Sequence, residues 1–332
     1  MKRPLFVFAG QSNMMGAAVY EASEQIYFKN SFEYLHKPKR FGEDLGGFKD
    51  YGFPSGEFSY KDLSVAYKDA SFESKSDLAD YRENTYFCPS MCNLEDDETK
   101  SVHPFNYFSE ATNRRAVTLA PFVVKNLEEA GYPCAYAHIT RGGTPIKFFI
   151  EGEGSEYFAQ KISDFFSDSE MKFSGDDTSE RVLVWLQGES DAKYDYAQYV
   201  ESLKVLWQQA KALSFTKFFI VRVDYFGNSN ITEIMRAQED FCAATENAYI
   251  ITRVASYFEW DGANKLPLTP VDTPFIACRD SYYGFKNNHI NEKGFKEIAK
   301  YATPNIIRIL FEGKEPVLEA ERVCALIPQK EK

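Results

Sequence analysis

The sequence predicts an α/β protein, a parallel β-sheet covered by helices on both faces and interrupted once by a large insertion. Three observations predict it. Short apolar runs rich in β-branched and aromatic residues lie at 5–9, 134–139, 182–186, 218–223 and 249–254, the pattern of strands buried on both faces. Amphipathic stretches at helical spacing lie between and after them, at 119–130, 157–166, 196–212, 231–244 and 292–301. Residues 17–115 follow neither period and are rich in Phe, Tyr, Ser, Gly and charge.

Taken in order, the run Leu5-Phe6-Val7-Phe8-Ala9 is bounded by Pro4 and Gly10 and reads as the first strand. The segment 17–115 follows it. A connection far beyond about 15 residues is usually functional, so this insertion is a candidate wall or lid over a site, or else a decorating subdomain. From 119 onward helix and strand alternate, ending with a helix for which Asn291 is a suitable N-cap. Alternation at this spacing requires right-handed crossovers and places any ligand site at the carboxyl ends of the strands.

Composition bounds the function. The 332 residues leave one or two domains open by length, and the chain reads as one domain over 1–332 with the insertion inside it. With 44% hydrophobic and 26% charged residues, it can bury a large core, which excludes disorder as its main state. A net charge of −11 repels nucleic-acid phosphates and anionic membranes, so neither is an expected partner and a neutral or weakly charged one fits better. No apolar run approaches the roughly 18 residues that span a bilayer. Met1-Lys2-Arg3-Pro4 leads into only Leu5 to Ala9, too short for a secretory core, and the expected location is the cytoplasm. The 6 cysteines then read as reduced thiols, and the Cys88, Cys92 spacing lacks the second pair or histidine that a zinc site needs. A metal site is not expected. Aromatic residues make up 16% of the chain, which suits a sugar-stacking cleft but equally an ordinary core.

Chemistry concentrates at the strand ends. The first strand runs into Gly10-Gln11-Ser12-Asn13-Met14, where the glycine permits a tight turn that presents a serine hydroxyl and its N–H at the sheet edge. A helix cap is the plainer reading of Ser12 and Asn13. The motif differs from the G-x-S-x-G elbow because Met14 stands at the second glycine. The chain holds 4 histidines for a base: His36, His103, His138 and His289. His138 lies in a core strand and suits a structural imidazole, while His36 and His103 lie in the insertion. His289, in Lys286-Asn287-Asn288-His289-Ile290-Asn291 just before the last helix, can reach back over the first strand. After the second strand, Arg141-Gly142-Gly143-Thr144 offers bare N–H groups to an oxyanion, or a simple turn. After the third, Gln187-Gly188-Glu189-Ser190-Asp191 sets an amide and two carboxylates at the same edge.

The ordered set Gly10-Gln11-Ser12-Asn13-Met14, Gly142-Gly143-Thr144, Gln187-Gly188-Glu189-Ser190-Asp191 and Asn288-His289 with Gly294 resembles the SGNH (GDSL-like) hydrolases, within them the sialate O-acetylesterase-like group and the family-6 carbohydrate esterases. The resemblance spans 10–294 outside the insertion. It implies a three-layer α/β/α sandwich with a mostly parallel five-stranded sheet of flavodoxin-like SGNH type, and removal of O-acetyl groups from an acetylated carbohydrate through an acyl-serine. It further implies Ser12 as nucleophile and His289 as general base. The oxyanion hole would be the N–H groups of Ser12 and Gly143 with the Gln187 amide, and the resemblance implies neither a metal nor an organic cofactor. Gln11, Asn13, Gly142, Thr144, Glu189 and Asn288 would support the site or bind substrate. One departure stands out: similar proteins carry an aspartate two or three residues before the histidine, where this chain has Asn287 and Lys286. Asn287, a displaced acid such as Asp280 or Asp191, or a backbone carbonyl would then orient His289. The same departure fits a second class, a glycan-binding protein without turnover on this fold. A flavodoxin-like nucleotide binder shares the sheet but lacks a G-x-G-x-x-G or P-loop signature.

Overall fold

The computed structural model of the chain describes residues 1–15, 30–35, 115–141, 143–223, 231–257, 290 and 292–319, with short strands at 18–20, 27–28, 47–48, 58–59, 94–95 and 102–103. Seven strands form the main sheet: β1 (Leu5–Gly10), β2 (Phe32–Leu35), β3 (Gly47–Phe48), β4 (Ala135–Thr140), β5 (Arg181–Leu186), β6 (Lys217–Val221) and β7 (Ala248–Thr252). Their order is β7-β6-β5-β1-β4-β2-β3, and every pairing is parallel except β2 with β3. The helices are α1 (Ser12–Met15), α2 (Leu119–Glu129), α3 (Lys147–Ile150), α4 (Gly152–Lys172), α5 (Tyr196–Ala212), α6 (Ile231–Ala244) and α7 (Glu292–Leu310).

Strand periodicity sorts the core into two layers. On β1, Phe6 and Phe8 pack with Leu119, Val123 and Leu127 of α2 and with Phe295, Ile298 and Ile306 of α7. Leu5, Val7 and Ala9 point the other way, toward Phe158 and Ile162 of α4, Leu203 and Leu206 of α5, and Ile234 and Phe241 of α6. Both faces of β1 are therefore fully buried, each large apolar side chain contributing about 1.5–3 kcal/mol. The result is the expected three-layer α/β/α sandwich.

The sheet differs from the five expected strands, because the insertion itself supplies β2 as a sixth parallel strand and β3 as a short antiparallel edge. Phe32-Glu33-Tyr34-Leu35 has a charge at its second position and no continuous apolar run, so it lacks the signature of a central strand. Its place near the rim tolerates that pattern. Three further two-stranded pairs lie outside the sheet, Ala18–Tyr20 with Arg115–Val117, Tyr27–Phe28 with Phe58–Ser59, and Leu94–Glu95 with Val102–His103. Among the described residues, no helix is long and apolar enough to cross a membrane.

The topology fixes where a site forms. The chain leaves β1 toward β4 and β2 on one side and toward β5, β6 and β7 on the other, so the crevice beyond the carboxyl end of β1 is the switch point of this sheet. Gly10 is in register with Thr140 on β4 and with Leu186 on β5. The segments beginning at Gln11, Arg141 and Gln187 consequently emerge side by side.

Candidate active site

β1 ends at Gly10, whose φ of 149° and close approach to β5 both demand glycine: a Cβ there would lie 2.0 Å from the Leu186 carbonyl oxygen. The tight exit starts α1 at Ser12. As the first residue of that turn, Ser12 carries one of the N–H groups that a helix start leaves without an intrahelical partner. Ser12 is half-buried, whereas Gln11 and Asn13 on either side are buried.

Those two neighbours tie the serine turn to the other loops. The Gln11 Oε1 accepts from the Ser190 N–H at 3.1 Å and from the Gln187 Nε2 at 3.1 Å. The Asn13 Nδ2 donates to the Glu189 Oε1 at 2.6 Å, and its Oδ1 accepts the Ile290 N–H at 3.1 Å. Ile290 is the residue that follows His289. Within the turn, the Met14 carbonyl accepts from the Thr118 Oγ1 at 2.7 Å and the His138 Nε2 at 2.6 Å. His138 is thus the structural imidazole expected of it. Burial lowers its pKa to about 3, against the opposing pull of the Met14 carbonyl, so it is neutral.

Gln187 lies beneath the site and is fully buried. Its Nε2 donates to the Gln11 Oε1, to the Thr144 carbonyl at 3.2 Å and to an Asp191 Oδ2, while its Oε1 accepts the Tyr199 hydroxyl at 3.0 Å. The amide expected to donate to an oxyanion is directed in this structure at protein acceptors. Gly188 has a φ of 146°, and a Cβ there would lie 2.7 Å from Ile234, so the turn into Glu189 also requires glycine. Asp191 is fully buried in the following 3₁₀ turn, and both of its oxygens accept the Ile146 N–H, at 3.2 and 3.0 Å. These contacts make Asp191 a fastener between two strand-end loops. Burial raises its pKa to about 6, against the lowering effect of Gln187 and the Ile146 N–H. Gly143 is exposed with a φ of 64°, and Thr144 is buried beside it.

The structure therefore brings Gln11, Ser12, Asn13, Thr144, Gln187, Glu189 and Asp191 into one connected network. Gly142, Asp280, Asn287, Asn288 and His289 lie outside the described residues, as does His36. Sequence reasoning missed Tyr199 and Gln238. Gln238 donates to the Gln187 carbonyl at 2.9 Å and accepts the Val223 N–H at 2.9 Å, which locks the exits of β5 and β6 together. Its signal was present in α6: a glutamine on the apolar stripe of Ile231, Ile234, Met235 and Phe241. Among the described residues, no group of three or more His, Cys, Asp or Glu side chains could hold a metal ion.

No family model matches the chain, and no curated protein sequence matches it. Solved structures do. The crystal structure of NanS shares 13% identity, covers 94% of this chain and 98% of its own, and superposes with a TM-score of 0.52. A family 3 carbohydrate esterase from Clostridium thermocellum shares 16% identity over 58% of this chain and 88% of its own, with a TM-score of 0.36. A carbohydrate acetylesterase from Xanthomonas citri shares 13% identity over 94% of this chain and 57% of its own, with a TM-score of 0.39. The likeness to NanS is one of fold.

Proposed function

We propose that this protein is a serine esterase that removes O-acetyl groups from a carbohydrate through an acyl-serine intermediate. One observation carries the reading. Ser12 opens the turn at the switch point of the sheet, and its neighbour Asn13 accepts a hydrogen bond from Ile290, the residue covalently joined to His289. Consecutive Cα atoms are about 3.8 Å apart, so the nucleophile and the proposed base are each one residue from a shared hydrogen bond.

The mechanism follows from charge. His289 takes the Ser12 proton as Oγ attacks the acetyl carbonyl, and Asn287, or the more distant Asp280, orients the imidazole. Negative charge then develops on the carbonyl oxygen. The N–H groups of Ser12 and Gly143 stabilise it, because they sit at the exits of adjacent, register-matched strands and need no reorganisation. The imidazolium returns its proton to the leaving sugar hydroxyl. Water, deprotonated by His289, attacks the acyl-serine, the bond to Ser12 Oγ breaks with release of acetate, and the imidazolium returns its proton to Oγ.

Replacing Ser12 with Ala tests the reading. The variant should lose essentially all release of acetate from p-nitrophenyl acetate and from acetylated sugars, since removing the nucleophile of such a site costs about 10⁶ in turnover. Turnover equal to that of the unaltered chain excludes the acyl-serine route. Sugar binding by an intact chain that releases no acetate would instead identify the glycan-binding alternative.

A further inference from the structure

The network under the proposed oxyanion hole converges on one residue. Asp191 receives the Ile146 N–H on one side, and Ile146 ends the short loop that carries Gly143 and Thr144. On the other side it receives the Gln187 Nε2, which also reaches the Thr144 carbonyl and the Gln11 Oε1. Gln11 immediately precedes Ser12. A single carboxylate therefore joins both backbone segments that would donate to an oxyanion.

We infer that Asp191 is the positioning residue that sets the separation of the Ser12 and Gly143 N–H donors, holding the Gly143 loop through Ile146 and the Ser12 turn through Gln187 and Gln11. The inference rests on the esterase reading. Its geometry is specific to a carboxylate. An ionised carboxyl offers only acceptors to the two donors that face it. The Oδ2 accepts both donors, while the Oδ1 faces the Ile146 N–H at 3.2 Å, so an asparagine with its Oδ1 in the Oδ2 place keeps the Gln187 bond but sets an NH₂ against the Ile146 N–H and weakens that fastener. Full burial makes the loss matter, since a donor left unpaired at this depth seeks another partner and moves the loop. The charged and titratable groups that face Asp191 are Glu189 and Lys193 on its own turn, Tyr194 just beyond it and Tyr199 on α5. Burial pushes the Tyr199 hydroxyl well above its ordinary range, so it faces the carboxylate as a neutral group.

The test compares the full chain with Asp191→Asn by two measurements, amide hydrogen exchange over residues 143–150 and steady-state hydrolysis of p-nitrophenyl acetate. The expected result is faster exchange in that segment with protection of β5 and α5 retained, together with a kcat lower by about 100-fold and a KM changed less than about threefold, the mark of a displaced oxyanion donor. Unchanged exchange over 143–150, or faster exchange with kcat within twofold of the unaltered chain, overturns the positioning role while Ser12→Ala still decides the esterase reading. An unaltered chain that releases no acetate overturns both. Should Asp191→Asn fail to fold, the Ile146 amide proton of the unaltered chain decides by NMR. It should titrate together with the Asp191 carboxyl, and an Ile146 resonance blind to that ionisation refutes the contact.

Discussion

At the scale of one residue, His138 carries a load that its chemistry makes measurable. Its Nε2 and the Thr118 hydroxyl both donate to the Met14 carbonyl, an acceptor within the Ser12 turn. The folded chain holds this imidazole neutral with a pKa of about 3, whereas an exposed histidine takes up a proton near 6.5. Its contribution is therefore complete above pH 6.5 and is lost as the pH falls toward 3, because the unfolded chain binds the proton first. By pH 5 the loss amounts to about 2 kcal/mol. His138→Gln keeps an N–H donor in place of Nε2 and does not titrate. Urea unfolding at pH 7.5 and pH 5 should show the unaltered chain losing about 2 kcal/mol more than the variant between the two conditions; equal losses would assign the acid sensitivity elsewhere. The structural role was legible in the sequence from the position of His138 within a buried run. Its partner was not, because a main-chain carbonyl 124 positions away leaves no side-chain signature. The same limit applies to Gln187, whose place in the motif was legible while the inward direction of its amide was not.

At the scale of elements, the central strands were readable because burial on both faces writes continuous apolar runs, and the five predicted runs all became strands within a residue or two of their ends. β2 was not, since Glu33 interrupts it yet is buried near the rim of the sheet. The last helix shows the opposite failure. Its reading stops at residue 301, but α7 continues through Pro304 to Leu310. A mid-helix proline costs about 3 kcal/mol, while Ile306, Ile309 and Leu310 beyond it are buried in the core and contribute roughly 1.5–3 kcal/mol each. Burial wins, and periodicity rather than the proline was the better guide. The junction of β1 and α1 is held by sterics that no propensity scale describes. Gly10→Ala would set a methyl 2.0 Å from the Leu186 carbonyl and demand a φ of 149° from a residue with a side chain. A cost of at least about 3 kcal/mol follows from strain and overlap. Thermal unfolding of Gly10→Ala should reveal that deficit, with esterase turnover falling alongside as the Ser12 turn shifts. Full stability with full turnover would mean that β1 and β5 separate easily at the site, contrary to the packing described.

At the scale of the whole molecule, the proposed reading divides the labour between the sheet, which carries the chemistry, and the insertion, which carries recognition. The proposed chemistry uses the exits of β1, β4 and β5 together with His289 just before α7, and among the described residues the insertion adds β2 and β3 to their sheet. The described strands within 51–107 lie outside the main sheet. Leu94–Glu95 and Val102–His103 pair with each other inside that stretch, and Phe58–Ser59 pairs with Tyr27–Phe28 of the same insertion. The net charge of −11 gives no long-range pull on a neutral sugar, so affinity for a glycan has to come from contact. The Tyr and Phe residues between 51 and 107 are the proposed source, because aromatic faces stack on sugar rings with little entropy to lose. Removing 51–107 while keeping β2 and β3 should therefore leave the sheet folded and the hydrolysis of p-nitrophenyl acetate within a few-fold of the intact chain. The KM for an acetylated oligosaccharide should rise by about 10-fold or more, the loss of one or two stacking contacts worth roughly 1–1.5 kcal/mol each. If both substrates suffer equally, the insertion serves the integrity of the fold, and recognition of the sugar belongs to the strand-end loops instead.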